Sequence, residues 1–336
     1  MSKVKYLMDR LLRMNHRRML RTVEMIHGKT GRSRLWVLGD MIRCGLRYGA
    51  GYTDYLLCGF YDLTPAQRST YVTRGVNNRI VRLCNDPAWY HCVEDKRSFN
   101  RIYGAFVRRG WLDMNRCTYD AFAEFMDGRD TIISKPAAAT CGKGIEKLRK
   151  ADFGSVKALY DHLHASGSGL IEDVIVQHPA LARLYPDAVN TYRIVTIHRK
   201  GTAGAVYAYI RIGNGGRFVD NFNSGGMTAP VDVETGTIEF AAVDKDGRTY
   251  QVHPATGCPI AGYRLPFWRE SIEMCLEAAE VVPQLGYMGW DVAVSGDGPQ
   301  LIEGNHFPGH DILQLPPHVP DRVGMLPRFR EFLPEL

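Results

Sequence analysis

No run of about 18 apolar residues occurs anywhere in the 336-residue chain, so no membrane span is expected. No C-x-x-C pair occurs either. The eight cysteines (Cys44, Cys58, Cys84, Cys92, Cys117, Cys141, Cys258 and Cys275) are scattered, which signals neither a zinc site nor a disulfide framework. They read as reduced, mostly buried thiols of a cytoplasmic protein. The first twenty residues, MSKVKYLMDRLLRMNHRRML, lack the apolar stretch and small-residue cleavage site of a secretory signal. Internal repeats and low-complexity tracts are missing. So is G-x-x-x-x-G-K-[ST], which excludes a Walker A loop, and so is G-x-G-x-x-G, which excludes a dinucleotide fingerprint.

What is present suffices for one large or two to three smaller cores, since 45% of residues are hydrophobic. The net charge of +6 is uneven. Residues 1–50 hold 12 Lys and Arg against Asp9, Glu24 and Asp40. Such a segment suits a nucleic acid, an anionic surface or a phosphorylated substrate. The favoured reading is a solvated helix face packed on the body through Leu7, Leu11, Leu12 and Leu20.

Residues 1 to about 125 lean helical, with Thr64 a helix cap before Pro65 and one helix expected over 95–109, with Phe99, Ile102, Tyr103 and Phe106 on one side. Near residue 130 the texture changes. TIISKP (131–136) is β-prone, 153–164 helical and GLIEDVIV (169–176) strand-like. TYRIVTIHR (191–199) and AVYAYIRIG (205–213) read as antiparallel partners around Lys200-Gly201-Thr202, and 267–282 reads as a helix. Mixed elements with antiparallel pairing predict α+β layers.

The most informative stretch is GWDVAVSGDGPQLIEGN, residues 289–305. Two β-prone runs flank Gly296-Asp297-Gly298, predicting a hairpin with a three-residue loop and Ser295 facing Pro299. Counting back puts Asp291 opposite Glu303, with Asn305 on the same face as Glu303. Opposed carboxylates destabilise a sheet, so something positive belongs between them. Hard oxygen ligands favour Mg²⁺ shared with phosphate oxygens.

A second constellation is TIISKPAAATCGKGI, 131–145. Lys135 ends a strand whose alternate residues are apolar, which is costly without an anionic partner. The small residues after it let backbone N–H groups approach phosphate. Glu172 and Asp173 interrupt an apolar strand, as a hinge between lobes would. Hinge backbone can meet an adenine edge, whereas solvated carboxylates on an edge strand are the bland alternative. His306 and His310 read as turn histidines bonded to backbone rather than catalysts, His178 as a loop cap, and Trp290 and Phe307 as core.

The order lysine strand, small Gly loop, acidic hinge, Arg-bearing strands and Asp…Glu-x-Asn hairpin resembles the ATP-grasp superfamily, over about Asp95 to Gln314. LIEDVIVQHPALARLYPDAVNTYRIVT and GWDVAVSGDGPQLIEGN are most similar to its sugar-transfer-associated branch, often encoded near polysaccharide genes. The resemblance implies an ATP-grasp fold over 95–336, with a lid-like lobe about 130–176, a metal-binding lobe about 177–315 and a helical basic region at 1–94. It implies ATP and Mg²⁺ as cofactors, two ions, or Mn²⁺ in their place. Lys135 then contacts the α- or β-phosphate. Thr140, Gly142, Lys143 and Gly144 belong to the loop over the β- and γ-phosphates. Glu172, Asp173, Val174 and Ile175 form the adenine hinge, and Asp291, Glu303 and Asn305 hold metal. Arg193 and Arg211 neutralise phosphate charge, Asn223 (or Asn221) faces the reacting centre, and Lys96 follows Asp95 at the opening of the ATP-binding part. Gly289 stands where some ATP-grasp ligases carry arginine, so Arg193 or Arg211 must supply that charge. The usual N-terminal parallel sheet is not evident in 1–95, which leaves the second substrate open.

The implied activity is a ligase joining a carboxylate to an amine through an acyl phosphate, releasing ADP and phosphate. Alternatives are a phosphotransferase on a sugar or alcohol, and a non-catalytic nucleotide-binding accessory. Asp291→Asn and Glu303→Gln are expected to abolish turnover with the fold intact.

Overall fold

The computed structural model describes residues 16–137, 144–216, 219–220, 222 and 225–336. Strands β1 (Trp111–Asp113), β2 (Thr131–Lys135), β3 (Glu146–Arg149) and β4 (Leu170–Asp173) form a small sheet in the order β1-β4-β2-β3. The large sheet holds β5 (Thr191–Arg199), β6 (Thr202–Ile212), β7 (Met227–Val231), β8 (Ala242–Asp244), β9 (Thr249–Tyr250), β10 (Tyr287–Ser295) and β11 (Gly298–Asn305). Its order is β11-β10-β5-β6-β7-β8-β9, and every pairing is antiparallel. The α+β reading holds. The principal helices are α1 (His16–Thr30), α2 (Arg34–Tyr48), α3 (Arg74–Cys84), α4 (Lys96–Ile102), α5 (Tyr119–Phe125), α6 (Val156–Ala165), α7 (Pro179–Leu184), α8 (Trp268–Val281) and α9 (Leu326–Phe332).

β5 and β6 are rich in β-branched and aromatic residues, which suit a sheet packed on both sides. Lys200 and Gly201 take φ of 52° and 79°, the turn handedness that matches strand twist. Successive side chains of β5 go to opposite faces. Tyr192 and Ile194 join Trp290, Val292 and Leu301 in the core under α8, against Met274, Cys275 and Ala278. Val195 and Ile197 join Tyr207 and Tyr287 in a second core, covered by Ile80 and Val81 of α3 and Phe329 of α9. Burying a side chain of this size contributes about 1.5–3 kcal/mol, so both faces hold the sheet firmly. The small sheet packs through Ile132 and Ile171 on Phe122 of α5 and on Leu159 and Leu163 of α6. Val23 and Ile26 of α1 and Val37, Met41 and Cys44 of α2 make a fourth core with Tyr55 and Phe60.

Several expectations need correction. The hairpin turn is one residue tighter than predicted: Ser295 pairs with Gly298, which has φ of 113°, and Val294 pairs with Pro299. A bulge after Asp291 absorbs the slip, and Asp291 still faces Glu303. The helix expected over 95–109 breaks at Tyr103 into α4 and a turn at Gly104–Val107. Phe99 and Tyr103 are buried but Ile102 is exposed. The strand expected over 169–176 ends at Asp173. Leu20 is exposed, and α1 packs through Thr22, Val23 and Ile26 instead. Five of the seven described cysteines are buried and all seven are free. Among the described residues no helix is long and apolar enough to cross a membrane.

Candidate active site

The pairing β6-β5-β10-β11 sets Tyr209, Arg193, Asp291 and Glu303 side by side in one row. Arg211 lies one step along β6, opposite Thr191. Arg193 Nε donates to Asp291 Oδ1, and Arg211 Nη1 donates to Oδ2 at 2.8 Å. Burial pushes the Asp291 carboxyl up, but the two guanidiniums outweigh it and hold the group well below the usual carboxylate range. Glu303 goes the other way. Burial and the facing Asp291 charge raise it. Asn305 Nδ2 lies 3.4 Å from Glu303 Oε1, on the face expected for it. The positive charge demanded by the opposed carboxylates is therefore partly the protein's own. A Cβ at Gly289 would meet Arg193 Cδ at 3.1 Å. The Arg193 side chain thus packs against the backbone of Gly289.

Lys135, at the end of β2, donates to Glu172 of β4. Arg109 Nη2 and Asn100 Nδ2 reach the other Glu172 oxygen at 2.8 and 2.9 Å. Arg109 Nη1 also donates to the Leu301 carbonyl at 2.7 Å, tying the small sheet to β11. Burial raises the Glu172 carboxyl, but Arg109 and Lys135 prevail and hold it well below its ordinary value. β4 lies between β1 and β2, so the solvated edge-strand alternative fails. Asp173 points the other way. Its carboxylate accepts from Arg129 Nε at 2.6 Å and from the Gly110 N–H at 2.8 Å.

Between the two sheets lies a cleft of about 460 Å³. Lys96, Lys135, Glu172, Asp173, Val174, Ile175, Arg211, Asp291 and Glu303 all line it. Arg193 sits buried beside Asp291 rather than on the lining, and Gly144 (φ 71°) and Asn305 do not line it. Thr140, Gly142, Lys143, Asn221 and Asn223 lie outside the described residues. Sequence reasoning missed two groups. Asp220 lines the cleft and accepts from the Thr191 N–H at 3.0 Å and from its hydroxyl. Burial and the Asp291 charge push it up to about 6 against the pull of Arg211 and Thr191. It belongs to VDNFNSGG (219–226), the stretch that also holds Asn221 and Asn223. Arg109, in FVRRG, gave no signal, because its partners Glu172 and Leu301 are remote in sequence.

His306 and His310 were expected to bond backbone, but each has a carboxylate partner instead, which sequence could not reveal. His306 stacks on Tyr90 and lies 3.1 Å from Glu94, and His310 lies 3.1 Å from the buried Asp54. His178 Nδ1 caps α7 by accepting from the Ala180 N–H. Trp290 is fully buried.

Among the described residues no three His, Cys, Asp or Glu side chains gather as a metal cluster. The donor set is smaller: two carboxylates and an amide, with Glu303 raised by burial and by the facing Asp291 charge. All are hard oxygens, and a Mg²⁺ that keeps waters and phosphate oxygens in its shell fits such a set.

A phosphate-compatible cleft between a small antiparallel sheet and a larger one is the architecture of the ATP-grasp fold. The chain belongs to the sugar-transfer associated ATP-grasp family, whose model matches residues 75–323. No curated protein matches it. Similar solved structures include the ATP-grasp ligase PsnB with its precursor peptide PsnA2 and AMPPNP, at 14% identity and TM-score 0.41. That match covers 70% of this chain and 58% of PsnB, so the chain spans under two thirds of PsnB's length. D-alanyl-alanine synthetase A from Vibrio cholerae shows 16% identity and TM-score 0.44, over 75% of this chain and 65% of its own. D-cycloserine synthetase DcsG shows 14% identity and TM-score 0.43, over 84% and 92%.

Proposed function

We propose that the chain is an ATP- and Mg²⁺-dependent ligase that joins a carboxylate to an amine through an acyl phosphate. The observation that carries this reading is the convergence of Lys135, Arg211 and the Asp291/Glu303 pair on one cleft. The backbone of 174–175, just past β4, offers hydrogen-bonding groups to an adenine edge. Ile133, Val174 and Ile302 line the same cleft and give the base an apolar bed. Glu172 acts through Lys135 rather than on the base, since its oxygens already serve Lys135, Arg109 and Asn100.

Asp291, Glu303 and Asn305 would hold Mg²⁺, which when bound neutralises phosphate charge. Lys135 and Arg211 orient the phosphates and stabilise the charge that develops as the phosphoryl group moves. The substrate carboxylate attacks the γ-phosphorus and ADP leaves. The amine then attacks the acyl carbon, the C–O bond to phosphate breaks, and the amine proton passes to solvent or a nearby base. Loop residues 140–144 are proposed to close over the β- and γ-phosphates, and Asn223 (or Asn221) to face the reacting centre.

Incubation with ATP, Mg²⁺ and pooled carboxylates and amines tests this. The expected result is ADP and phosphate released together, with a product mass equal to acid plus amine less water. A product that keeps the phosphoryl group would make the chain a phosphotransferase. Tight ATP binding with no ADP from any pool would make it a non-catalytic accessory.

A further inference from the structure

The helix α2 is apolar on two opposite faces. Val37, Met41 and Cys44 are buried in the helical core. Leu35, Ile42 and Leu46 recur at helical spacing on the other side and are 82%, 52% and 62% exposed. Trp36 borders this stripe at 45% exposure, with the Arg32 guanidinium 4.4 Å above its ring. A helix apolar on two faces is built for two partners, and the chain's own core supplies one.

Charge indicates the other. Residues 16–48 carry eight Lys and Arg against Glu24 and Asp40, a local excess of six, as large as the net charge of the whole chain. Both acids are committed. Asp40 accepts from Arg68 and Tyr55, and Glu24 accepts from Arg34. Arg43 and Arg47 stand exposed along the stripe. An apolar stripe with a bordering tryptophan and flanking arginines matches what an anionic bilayer interface accepts: side chains dip to the acyl boundary and guanidiniums meet lipid phosphates. A nucleic acid offers nothing to exposed leucines, and a second copy would bring like charges together.

We propose that the α1–α2 hairpin docks on an anionic phospholipid surface through Leu35, Trp36, Ile42 and Leu46, with Arg43 and Arg47 on the lipid phosphates. The test is co-sedimentation of the full chain with vesicles of phosphatidylcholine alone or containing about one third phosphatidylglycerol. Binding is expected to the anionic vesicles only and to fall steeply at high salt. Leu35→Ser/Ile42→Ser/Leu46→Ser and Arg43→Glu/Arg47→Glu should each weaken it by about tenfold or more. Both sets change exposed side chains, so unchanged melting and nucleotide binding verify the fold. Wild-type protein left in the supernatant overturns the proposal. So does a dimer that the triple serine variant dissolves, or tighter retention of a single-stranded RNA than of the vesicles. Binding abolished by deleting residues 1–15 but indifferent to both variants would overturn it too.

Discussion

Arg211 Nη1 sits 2.8 Å from Asp291 Oδ2, and the other Asp291 oxygen is taken by Arg193. A cation arriving alone would meet a carboxylate already neutralised by two guanidiniums. Phosphate oxygens change that balance, because they give Arg211 another partner. Mn²⁺ binding followed by electron paramagnetic resonance should therefore be weak without nucleotide and tighten about tenfold or more with ADP. Arg211→Ala should raise the nucleotide-free affinity. Equal Mn²⁺ affinity with and without ADP in the wild type would refute the coupling.

Substitutions of the two facing carboxylates should differ in stability. Asp291→Asn deprives the buried Arg193 and the half-buried Arg211 of their counter-charge and should cost about 3–5 kcal/mol. Glu303→Gln removes a charge that Asp291 already disfavours and should cost under about 1 kcal/mol. Urea unfolding of both variants checks the order. The structure thus revises the expectation that both leave the fold untouched: Glu303→Gln is the cleaner probe of turnover.

Glu172 holds Lys135 and Arg109 together in the interior. Glu172→Gln should cost about 3 kcal/mol, because the two cations lose their counter-charge. Glu172→Leu combined with Lys135→Met should cost less than the sum of the single changes, since the pair leaves together. Additive losses in chemical denaturation would mean the pair is not coupled.

Asp220 gives a dependence on pH with a definite sign. Its carboxyl is raised in the folded chain from 3.8 to about 6. The cost of charging it is absent below about pH 4, grows as pH rises through about 6, and is complete above. The shift corresponds to about 3 kcal/mol at most. Asp220→Asn should accordingly stabilise the protein near pH 8 and make little difference near pH 4.5. Thermal melts across that range decide it, and a benefit that grows toward acid would exclude this account.

The hairpin itself was legible from strand periodicity and a Gly-Asp-Gly turn, which are local signals, but the facing of Asp291 and Glu303 came out right because two departures cancel: the turn is one residue tighter, and a bulge that leaves no trace in the pattern restores the count. Lys135 was legible as a lysine in need of an acid, but not its partner, since the separation of 37 positions between Lys135 and Glu172 hides which strands adjoin. Arg193 looked like a phosphate ligand. Its role as the neighbour of Asp291 emerges only from the β5-β10 register. Arg109, Asn100 and Asp220 depend on contacts across sheets and left no periodic trace. Ile102 and Leu20 were misassigned for a related reason: helical spacing says which residues share a face, not which face finds a partner.

The bulge after Asp291 leaves Ile302 as the supernumerary residue of β11, between Leu301, paired with Val292, and Glu303, paired with Asp291. A regular strand has only two directions to offer its side chains. Here the extra residue lets two neighbours, Ile302 and Glu303, both face the cleft while Leu301 turns to the interior. Removing that one residue would swing everything on one side of it through half a turn, leaving the turn and the acids unable to keep their places at once.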